Sequence, residues 1–301
     1  MNFKSPWTLT LCFLGFILAV FIFAQTFHMG AKGLEGFQQM NRYEVKRDAD
    51  AYDDFYADIH DKLYQVADQA KFESEILYSN TQMDGFSRVL DLGCGTGHVV
   101  ADLAAKGIGS VVGVDRSEAM VKRHKPLDSS KVEIQRLDEK AMKDPMAFEK
   151  GQFTHILALN RELYKQPDKV AFFRKCNHWL IPGGYLVVQV VDPTKLDYVV
   201  PLAKTSAYRS KSTNDKSTKT SAIQMIDMEY KNTYTYEERT KTLKQVETMT
   251  DGATGKVRQN EHAFYMDNDA LQHAQYAGFS VLGEYSYKTD VNQRMVILRK
   301  M

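Results

Sequence analysis

The segment Val89-Leu-Asp-Leu-Gly-Cys-Gly-Thr-Gly97 constrains the fold of this chain more than any other feature of its sequence. An apolar run ends in an acidic residue, and three glycines at alternate positions, Gly93, Gly95 and Gly97, precede a run with helical periodicity. Glycine permits the tight turn from strand to helix and lets a ligand approach the N–H groups of the helix N-terminus closely. The pattern predicts a ligand pocket at the carboxyl end of a strand.

Strand and helix patterns alternate on both sides of this glycine segment, as is typical of a doubly wound α/β fold. The predicted strands are 88–92, 110–114, 132–135, 153–159 and 185–191, and the predicted helices are 99–106, 118–125 and 168–180. After a helix at 269–277, the patterns at 279–287 and 294–299 add two strands. We therefore expect a seven-stranded, mostly parallel sheet.

The region between residues 204 and 266 departs from this alternation. Residues 204–221 are rich in Lys, Ser and Thr and predict a solvated loop. Residues 223–236, 240–249 and 256–266 alternate apolar and polar side chains, which predicts strands. We expect a small antiparallel sheet inserted into the larger domain.

The acidic residue at the end of the second predicted strand indicates the kind of ligand. Asp115 lies eighteen positions after Gly97 and is placed to accept hydrogen bonds from both hydroxyls of a ribose. This predicts a nucleoside ligand; the alternative for Asp115 is a helix cap, with Ser117 as competitor. A dinucleotide site would need a glycine where His98 stands, which disfavours the pyrophosphate of NAD.

The glycine segment resembles the D-x-G-x-G-x-G motif of class I S-adenosylmethionine-dependent methyltransferases. The resemblance covers about residues 50–300 and includes the Pro182-Gly183-Gly184 break before the fifth strand. It implies a Rossmann-like methyltransferase fold, S-adenosyl-L-methionine as cofactor and methyl transfer to an acceptor. The segment Tyr52-Asp-Asp-Phe-Tyr56 and the inserted sheet resemble small-molecule methyltransferases, including sugar amine N-methyltransferases, so that a small acceptor, such as an amine or a lipid, is expected.

The resemblance also implies which residues bind the cofactor. Asp91 and the glycine segment would hold the amino-acid and ribose part, Asp115 the ribose, and Asp138 the adenine edge. The full expected set is Asp91, Gly93, Cys94, Gly95, Gly97, Asp115, Asp138, Asn160 and Tyr56. The alternative for Asp138 is a plain loop acid, with Glu139 in its place.

No catalytic residue is assigned from the sequence. Methyl transfer from a sulfonium needs alignment of the acceptor and exclusion of water more than it needs a nucleophile. Glu162 and Tyr164, after the fourth strand, are candidates for removing a proton from the acceptor. The alternative is a surface loop in which Arg161 and Glu162 form a solvated pair. His262 on the inserted sheet is a weaker candidate, as is Tyr265.

Residues 7–27 contain no charged side chain and predict a transmembrane helix. As a helix they would span roughly 32 Å, against about 30 Å of hydrocarbon. A cleaved signal peptide is the alternative, although its apolar run would be only about 7 to 15 residues long. The expected organisation is an N-terminal flank (1–6), this anchor, a tether (28–42) and a methyltransferase domain (43–301). The pattern at the start of this domain, from about Tyr43, predicts a helix.

Charge and cysteine content exclude other classes of function. The positive charges at Lys32, Arg42, Lys46 and Arg47 favour a cytosolic C-terminal domain. A net charge of +1 gives no sign of a nucleic-acid partner. Three cysteines without a C-x-x-C pair exclude a zinc site of that kind, and no metal is expected. The alternative functions are a catalytically inactive nucleoside-binding or scaffold protein on the same fold and, less favoured, a NAD-dependent oxidoreductase.

Overall fold

The computed structural model describes residues 37, 42–124, 132–137, 144–195, 199–204, 210–214, 218–266, 269–288 and 290–301. The described residues form two sheets, one of seven strands and one of six. The larger sheet carries the glycine segment, and the smaller one consists mostly of residues inserted after the fifth strand of the larger sheet.

The seven-stranded sheet has the order β12-β13-β6-β5-β2-β3-β4. Its strands are β2 (Arg88–Leu92), β3 (Ser110–Asp115), β4 (Val132–Arg136), β5 (Phe153–Ala158), β6 (Leu180–Val191), β12 (Phe279–Ser286) and β13 (Gln293–Lys300). Strands β4, β3, β2, β5 and β6 pair in parallel, and β13 runs antiparallel to both β6 and β12. The prediction of a seven-stranded, mostly parallel sheet is confirmed.

Seven α-helices are present in the described residues: α1 (Asp54–Tyr64), α2 (Val66–Asn80), α3 (His98–Ala105), α4 (Glu118–Lys122), α5 (Glu162–Lys165), α6 (Lys169–Trp179) and α7 (Ala270–Tyr276). The first begins after Asp53, whose side chain accepts a hydrogen bond from the Tyr56 backbone N–H. It ends at Gln65, where φ is +49°, so that α2 leaves in a new direction. Two short helices, rather than one long one, therefore precede β2.

The six-stranded sheet has the order β1-β11-β10-β9-β8-β7. Its strands are β1 (Tyr43–Arg47), β7 (Ser210–Asn214), β8 (Thr218–Gln224), β9 (Met228–Glu237), β10 (Thr242–Asp251) and β11 (Val257–Tyr265). All neighbours are antiparallel except β1 and β11, which are parallel. The inserted antiparallel sheet is thus present, but larger than predicted.

Two predictions about the ends of this sheet are wrong. Residues 204–221 contain β7 and most of β8 instead of only a solvated loop, and the region beginning at Tyr43 is a strand instead of a helix. Both β1 and β7 are edge strands. Edge strands carry lysines and polar side chains because water solvates their open side, so their composition is close to that of a loop.

The predicted membrane anchor, residues 7–27, lies outside the described residues, and no helix within them is long and apolar enough to cross a membrane. Of the tether, the structure describes Phe37 and Arg42. Phe37 is 1% exposed and packs edge-on against Phe55 with 4.7 Å between ring centroids. The Lys256 ammonium also donates a hydrogen bond to the Phe37 carbonyl oxygen. Packing of the domain therefore includes at least one residue before Tyr43.

Candidate active site

One cavity separates the glycine segment from the six-stranded sheet. It holds about 1170 Å³ of empty space, including its open mouth. Gly93, Gly95 and Asp115 line one wall, and Asn232 and His262 line the opposite wall. Other lining residues come from the helices and loops between the walls: Tyr52, Tyr56, His60, Tyr64, Gln69, Asn160, Arg161 and Lys165. The lining thus brings residues of the glycine segment and of the inserted sheet to one open space.

The glycine segment forms the turn from β2 into α3. The N–H groups of Gly93 and Cys94 both donate to the Val114 carbonyl oxygen on β3, at 2.8 and 3.1 Å, which holds the turn against the neighbouring strand. Gly95 has φ +56°, and a β-carbon added there would meet nothing within 4 Å. Because Gly95 lines the cavity, a side chain at this position would occupy space that a ligand can use.

Asp115 ends β3 and is held in one orientation by backbone donors. Its Oδ2 accepts from the Gly95 N–H at 3.0 Å, and its Oδ1 accepts from the Ser117 N–H at 2.8 Å. Each carboxylate oxygen keeps a lone pair that can accept a further hydrogen bond. The helix cap is instead Ser117, whose hydroxyl oxygen accepts from the Met120 N–H at 3.1 Å. Ser117, and not Asp115, is therefore the helix cap.

Acidic groups are concentrated beneath the glycine segment. Asp91 is 3% exposed and makes no side-chain hydrogen bond with another described residue. Burial raises the pKa of Asp91 well above its usual range, and the charges of Glu73, Asp115 and Glu162 raise it further. A cationic ligand here would offset this repulsion. The open space at Gly95 and this acidic floor therefore fit a cationic nucleoside such as S-adenosylmethionine.

Cys94 and Gly97 have packing roles. Burial, together with the charges of Asp91 and Asp115, raises the pKa of the Cys94 thiol well above its usual range, so the thiol stays protonated. Gly113 on β3 leaves room for it, since a β-carbon there would lie 2.9 Å from Cys94 Sγ. Gly97 precedes α3 with φ +78°, and a β-carbon there would lie 2.6 Å from Ile134 Cδ1.

The chain turns sharply after β5. Asn160 and Arg161 have φ values of +48° and +62°, a conformation that residues other than glycine seldom adopt. Asn160 lines the cavity, and its Oδ1 accepts from Gln69 Nε2 at 2.9 Å. The turn directs the Arg161 guanidinium under the inserted sheet, 4.8 Å from the ring centroid of Phe264.

The structure does not place the two candidate bases in the cavity lining. Glu162 is 5% exposed and pairs with Lys165 Nζ at 3.0 Å, not with Arg161 as the solvated-pair alternative assumed. The Tyr164 hydroxyl is 1% exposed and accepts from the Val191 N–H at 3.1 Å. Tyr164 therefore supports β6, and Glu162 supports the loop against Gly93, where an added β-carbon would meet its carboxylate at 2.7 Å.

A buried carboxylate of the inserted sheet organises the far wall. Glu247 is fully buried, and its Oε1 accepts hydroxyl hydrogens from Tyr56, Tyr64 and Tyr230 at 2.8, 2.8 and 2.6 Å. Its Oε2 lies 3.2 Å from His262 Nε2. Burial acts to raise the pKa of Glu247, but the hydrogen bonds from His262 and the tyrosines outweigh it and lower the pKa to about 2. The carboxylate is thus ionised at neutral pH.

The ionised Glu247 fixes the tautomer of His262. A carboxylate without a proton can only accept, so Nε2 of His262 carries the hydrogen of this contact, and the neutral form of the imidazole has its lone pair on Nδ1. Among the described residues, Nδ1 has no hydrogen-bond partner, and His262 lines the cavity. The dyad of His262 and Glu247 can therefore accept a proton from a molecule in the cavity.

A second ionic contact fastens α1 to the glycine segment. Asp61 accepts the Thr96 hydroxyl hydrogen at 2.9 Å and lies 2.8 Å from His98 Nε2. Burial acts to raise the pKa of Asp61, but hydrogen bonds from His60, His98 and Thr96 outweigh it and lower the pKa well below its usual range. Helix α1 is thereby fixed over the cavity, where it presents Tyr56.

The remaining sequence-based assignments have different outcomes. Asp138 and Glu139 lie outside the described residues, so the adenine-edge assignment stays a prediction. Tyr265 is 43% exposed and does not line the cavity. Among the described residues, no cluster of His, Cys, Asp or Glu could hold a metal ion.

Several residues of the site were missed from the sequence: Tyr64, Arg161, Asn232 and Gln245 line the cavity, and Glu247 binds other residues of the lining. Three of them share a signal: Asn232, Gln245 and Glu247 occupy inward positions that alternate in phase with buried apolar residues of β9 and β10. Polar side chains in a buried phase are costly unless they are hydrogen-bonded, and they often mark a site. This phase could have identified the far wall of the cavity.

Comparisons with known proteins relate this geometry to a family. A family model described as a methyltransferase domain matches residues 89–184. The Bacillus subtilis protein named "Putative methyltransferase YqeM" is 29% identical over 150 residues, which are 48% of this chain and 58% of that protein. The chain thus spans less than two thirds of the length of this curated relative.

Solved structures match over most of the chain. The CcbJ methyltransferase from Streptomyces caelestis has a TM-score of 0.63 at 17% identity, covering 84% of this chain and 99% of that one. CalS10 from Micromonospora echinaspora, an amino pentose methyltransferase solved with S-adenosylmethionine bound, has a TM-score of 0.50 at 15% identity, covering 82% and 96%. At these identities the likeness shows the fold, and together with the family model it supports S-adenosylmethionine as the cofactor.

Proposed function

This chain has the fold of class I S-adenosylmethionine-dependent methyltransferases, and from that premise we propose that it transfers a methyl group to a small-molecule acceptor. The observation that carries the proposal is the two-walled cavity. One wall offers Gly95 and Asp115 to a nucleoside, and the other offers Asn232 and His262 to a second molecule. A protein that only sensed a nucleoside would have no need of the second wall.

Bound S-adenosylmethionine supplies an electrophilic methyl group on a sulfonium. The residues of this chain would hold it through Asp115 at the ribose and through the acidic floor around Asp91. Helix α1, fixed by Asp61, excludes water from the space between the walls. His262 Nδ1 would take the proton that the acceptor loses, and Glu247 would hold the imidazole in the required tautomer.

An amine is the acceptor group that we favour. CalS10 is named as an amino pentose methyltransferase, and its match covers 82% of this chain. A neutral imidazole suits an amine because it can take a proton from an ammonium acceptor before transfer, which frees the nitrogen lone pair that attacks the methyl group. The identity of the acceptor is part of the proposal.

Two measurements test the function. Calorimetry with S-adenosylmethionine, S-adenosylhomocysteine and NAD should show binding of the first two in preference to NAD. Transfer of radiolabelled methyl groups to a panel of amines, including amino sugars and lipid amines, should then give a product with the wild type and much less with Asp115→Ala. Binding without transfer to any compound would favour the nucleoside-sensing alternative, and preference for NAD would establish the oxidoreductase.

We also propose that residues 7–27 anchor the chain in a membrane with residues 43–301 on the cytosolic side. The uncharged run of 21 residues supports the anchor, and the four basic residues that follow within about 20 positions support the orientation. A glycosylation tag at the C-terminus should remain unmodified. Glycosylation of that tag would reverse the orientation.

A further inference from the structure

We propose that the acceptor carries an anionic group, a carboxylate or a phosphate, which binds to Arg161 and accepts a hydrogen bond from the Asn232 amide. This inference rests on the proposed function, because it assigns a chemical class to the molecule that occupies the second wall of the cavity.

Arg161 lines the cavity as a cation without an anionic partner. Its guanidinium lies 4.8 and 5.7 Å from the ring centroids of Phe264 and Tyr234, and Nη1 donates to the Tyr234 hydroxyl at 3.1 Å. No carboxylate of the described residues lies within ion-pair distance of it. The neighbouring cation Lys165, by contrast, is paired with Glu162. A guanidinium placed over aromatic rings stays charged, and its remaining N–H groups can bind a carboxylate or phosphate.

Asn232 supplies a second donor whose orientation is fixed by its neighbours. Tyr64 gives its hydroxyl hydrogen to the ionised Glu247, so its oxygen must accept from Gln245 Nε2, at 2.8 Å. The same Nε2 donates to Asn232 Oδ1 at 3.2 Å. The nitrogen of the Asn232 amide therefore points the other way.

That nitrogen, Nδ2, is buried and has no hydrogen-bond partner, although Asn232 lines the cavity. An unsatisfied buried donor destabilises the fold, and a ligand oxygen that accepts its hydrogen would remove that cost. Asn232 and Tyr234 occupy inward positions two residues apart on β9, about 7 Å along the strand. The amide and the guanidinium bound to Tyr234 can thus reach one small anionic group.

Asn232 belongs to the acceptor wall, and Arg161, on the loop between the walls, is held by two rings of that wall. The rings that hold Arg161 are on β9 and β11, and Asn232 is on β9. The groups assigned to the cofactor are on the opposite side, around Gly95 and Asp115. The carboxylate of the cofactor's own amino-acid part is the competing anion, and the experiment must separate the two.

The test uses the full chain in a non-ionic detergent, saturated with S-adenosylhomocysteine. Inorganic phosphate and acetate are titrated separately by calorimetry, against sodium chloride of equal ionic strength. The variants are Arg161→Met, Arg161→Lys and Asn232→Ala, and Arg174→Met, an exposed arginine outside the cavity, is the matched control. Thermal unfolding of each variant checks that it is folded, and Arg161→Lys keeps the charge if Arg161→Met fails to fold.

We expect saturable binding of at least one anion to the wild type and to Arg174→Met. Arg161→Met should weaken it at least about tenfold and Asn232→Ala about threefold, with Arg161→Lys between the wild type and Arg161→Met. The phosphate and acetate arms show which anion the site prefers. Equal binding to Arg161→Met, or no saturable binding to the wild type, would overturn the proposal.

A third outcome would assign Arg161 to the cofactor. If Arg161→Met weakens binding of S-adenosylhomocysteine at least tenfold, and the anions bind only when that molecule is absent, the acceptor proposal is wrong. If the wild type fails to bind S-adenosylhomocysteine at all, the proposed function fails instead. The anion titrations on the unloaded protein then still decide whether Arg161 and Asn232 form an anion site.

Discussion

Tyr56 on α1 donates its hydroxyl hydrogen to Glu247 on β10 at 2.8 Å, although the two residues are 191 positions apart in the sequence. Tyr64, the last residue of the same helix, donates to the same oxygen. A single buried carboxylate therefore attaches the helix over the cavity to the inserted sheet. The shape of the cavity depends on this attachment.

Glu247→Gln should destabilise the protein in a pH-dependent way. The pKa of Glu247 is about 2 in the folded chain, below its ordinary value of 4.5, so its ionised form stabilises the fold. This contribution, on the order of 3 kcal/mol, is complete above about pH 5 and is lost as pH falls from 4.5 toward 2. Urea unfolding at several pH values should show the difference between wild type and variant shrinking over that range.

The exposed residue Glu229 on the neighbouring strand provides the control for this prediction. Glu229→Gln should change the free energy of unfolding by less than about 0.5 kcal/mol at every pH. A Glu247→Gln effect that stays constant down to pH 2 would show that the carboxylate acts through its shape and not through its charge.

Gly95→Ala should weaken cofactor binding with little more loss of stability than Gly107→Ala. Both glycines have positive φ, +56° and +80°, and an added β-carbon meets nothing within 4 Å at either position. The backbone strain should therefore cost each variant a similar amount, about 1–2 kcal/mol. Only Gly95 lines the cavity, so only Gly95→Ala should weaken binding of S-adenosylhomocysteine, by at least about tenfold. Equal affinities of the two variants in calorimetry would contradict this.

Asp115→Ala should weaken binding of S-adenosylhomocysteine at least about tenfold, because each charge-assisted hydrogen bond to a ribose hydroxyl contributes roughly 1.5–3 kcal/mol. The Gly95 and Ser117 N–H groups hold the carboxylate in place for those bonds. Calorimetry measures the change, and Glu149→Ala, at an exposed position away from the cavity, is the control. Unchanged affinity in Asp115→Ala would remove the ribose assignment.

The glycine segment and the main sheet could be predicted because their signals are local. Gly93, Gly95 and Gly97 are needed by a turn that is complete within ten residues, and each strand of the sheet is a short apolar run. The edge strands could not be predicted in the same way. The segment Ser210–Asn214 has the composition of a loop, and it forms a strand because Thr218–Gln224 is available to pair with it.

The far wall of the cavity depends on contacts that no local pattern contains. The sequence suggests a pair between the adjacent Arg161 and Glu162, but the left-handed backbone at Asn160 and Arg161 separates their side chains. Arg161 then meets Tyr234, which is 73 positions away. The role of Glu247 likewise requires three strands of the inserted sheet and one helix to meet at one carboxylate group.

His262→Gln should lower kcat for the acceptor found in the amine panel by at least about a hundredfold, because a positioned general base contributes roughly 10²–10⁴ to the rate. Its affinity for S-adenosylhomocysteine should stay within about twofold of the wild type, since His262 is on the acceptor wall. The control is His178→Gln, on α6 and outside the cavity lining. Unchanged kcat in His262→Gln would mean that the acceptor loses its proton to water.

Glu73→Gln should stabilise the protein at alkaline pH. Glu73 on α2 is 1% exposed, and burial raises its pKa to about 7 although hydrogen bonds from Tyr287 and Gln69 act to lower it. Between pH 4.5 and 7 the Glu73 carboxyl is protonated in the folded chain and ionised in the unfolded chain. The free energy of unfolding therefore falls as pH rises through that window, by up to about 3 kcal/mol. Both hydrogen bonds are accepted by Oε1, at 2.7 and 2.9 Å, and a glutamine oxygen can accept them equally.

The variant therefore keeps the contacts of Glu73 and loses only the cost of ionising a buried acid. Its free energy of unfolding relative to the wild type should rise between pH 4.5 and pH 8, as urea unfolding at both values would show. The control is Glu75→Gln, two residues along the same helix and 65% exposed, which should show no such rise. Its expected effect is only the loss of a surface ion pair with Lys106. If the free energy of unfolding of Glu73→Gln relative to the wild type does not change with pH, Glu73 is charged in the folded protein throughout this range. Its pKa is then not raised.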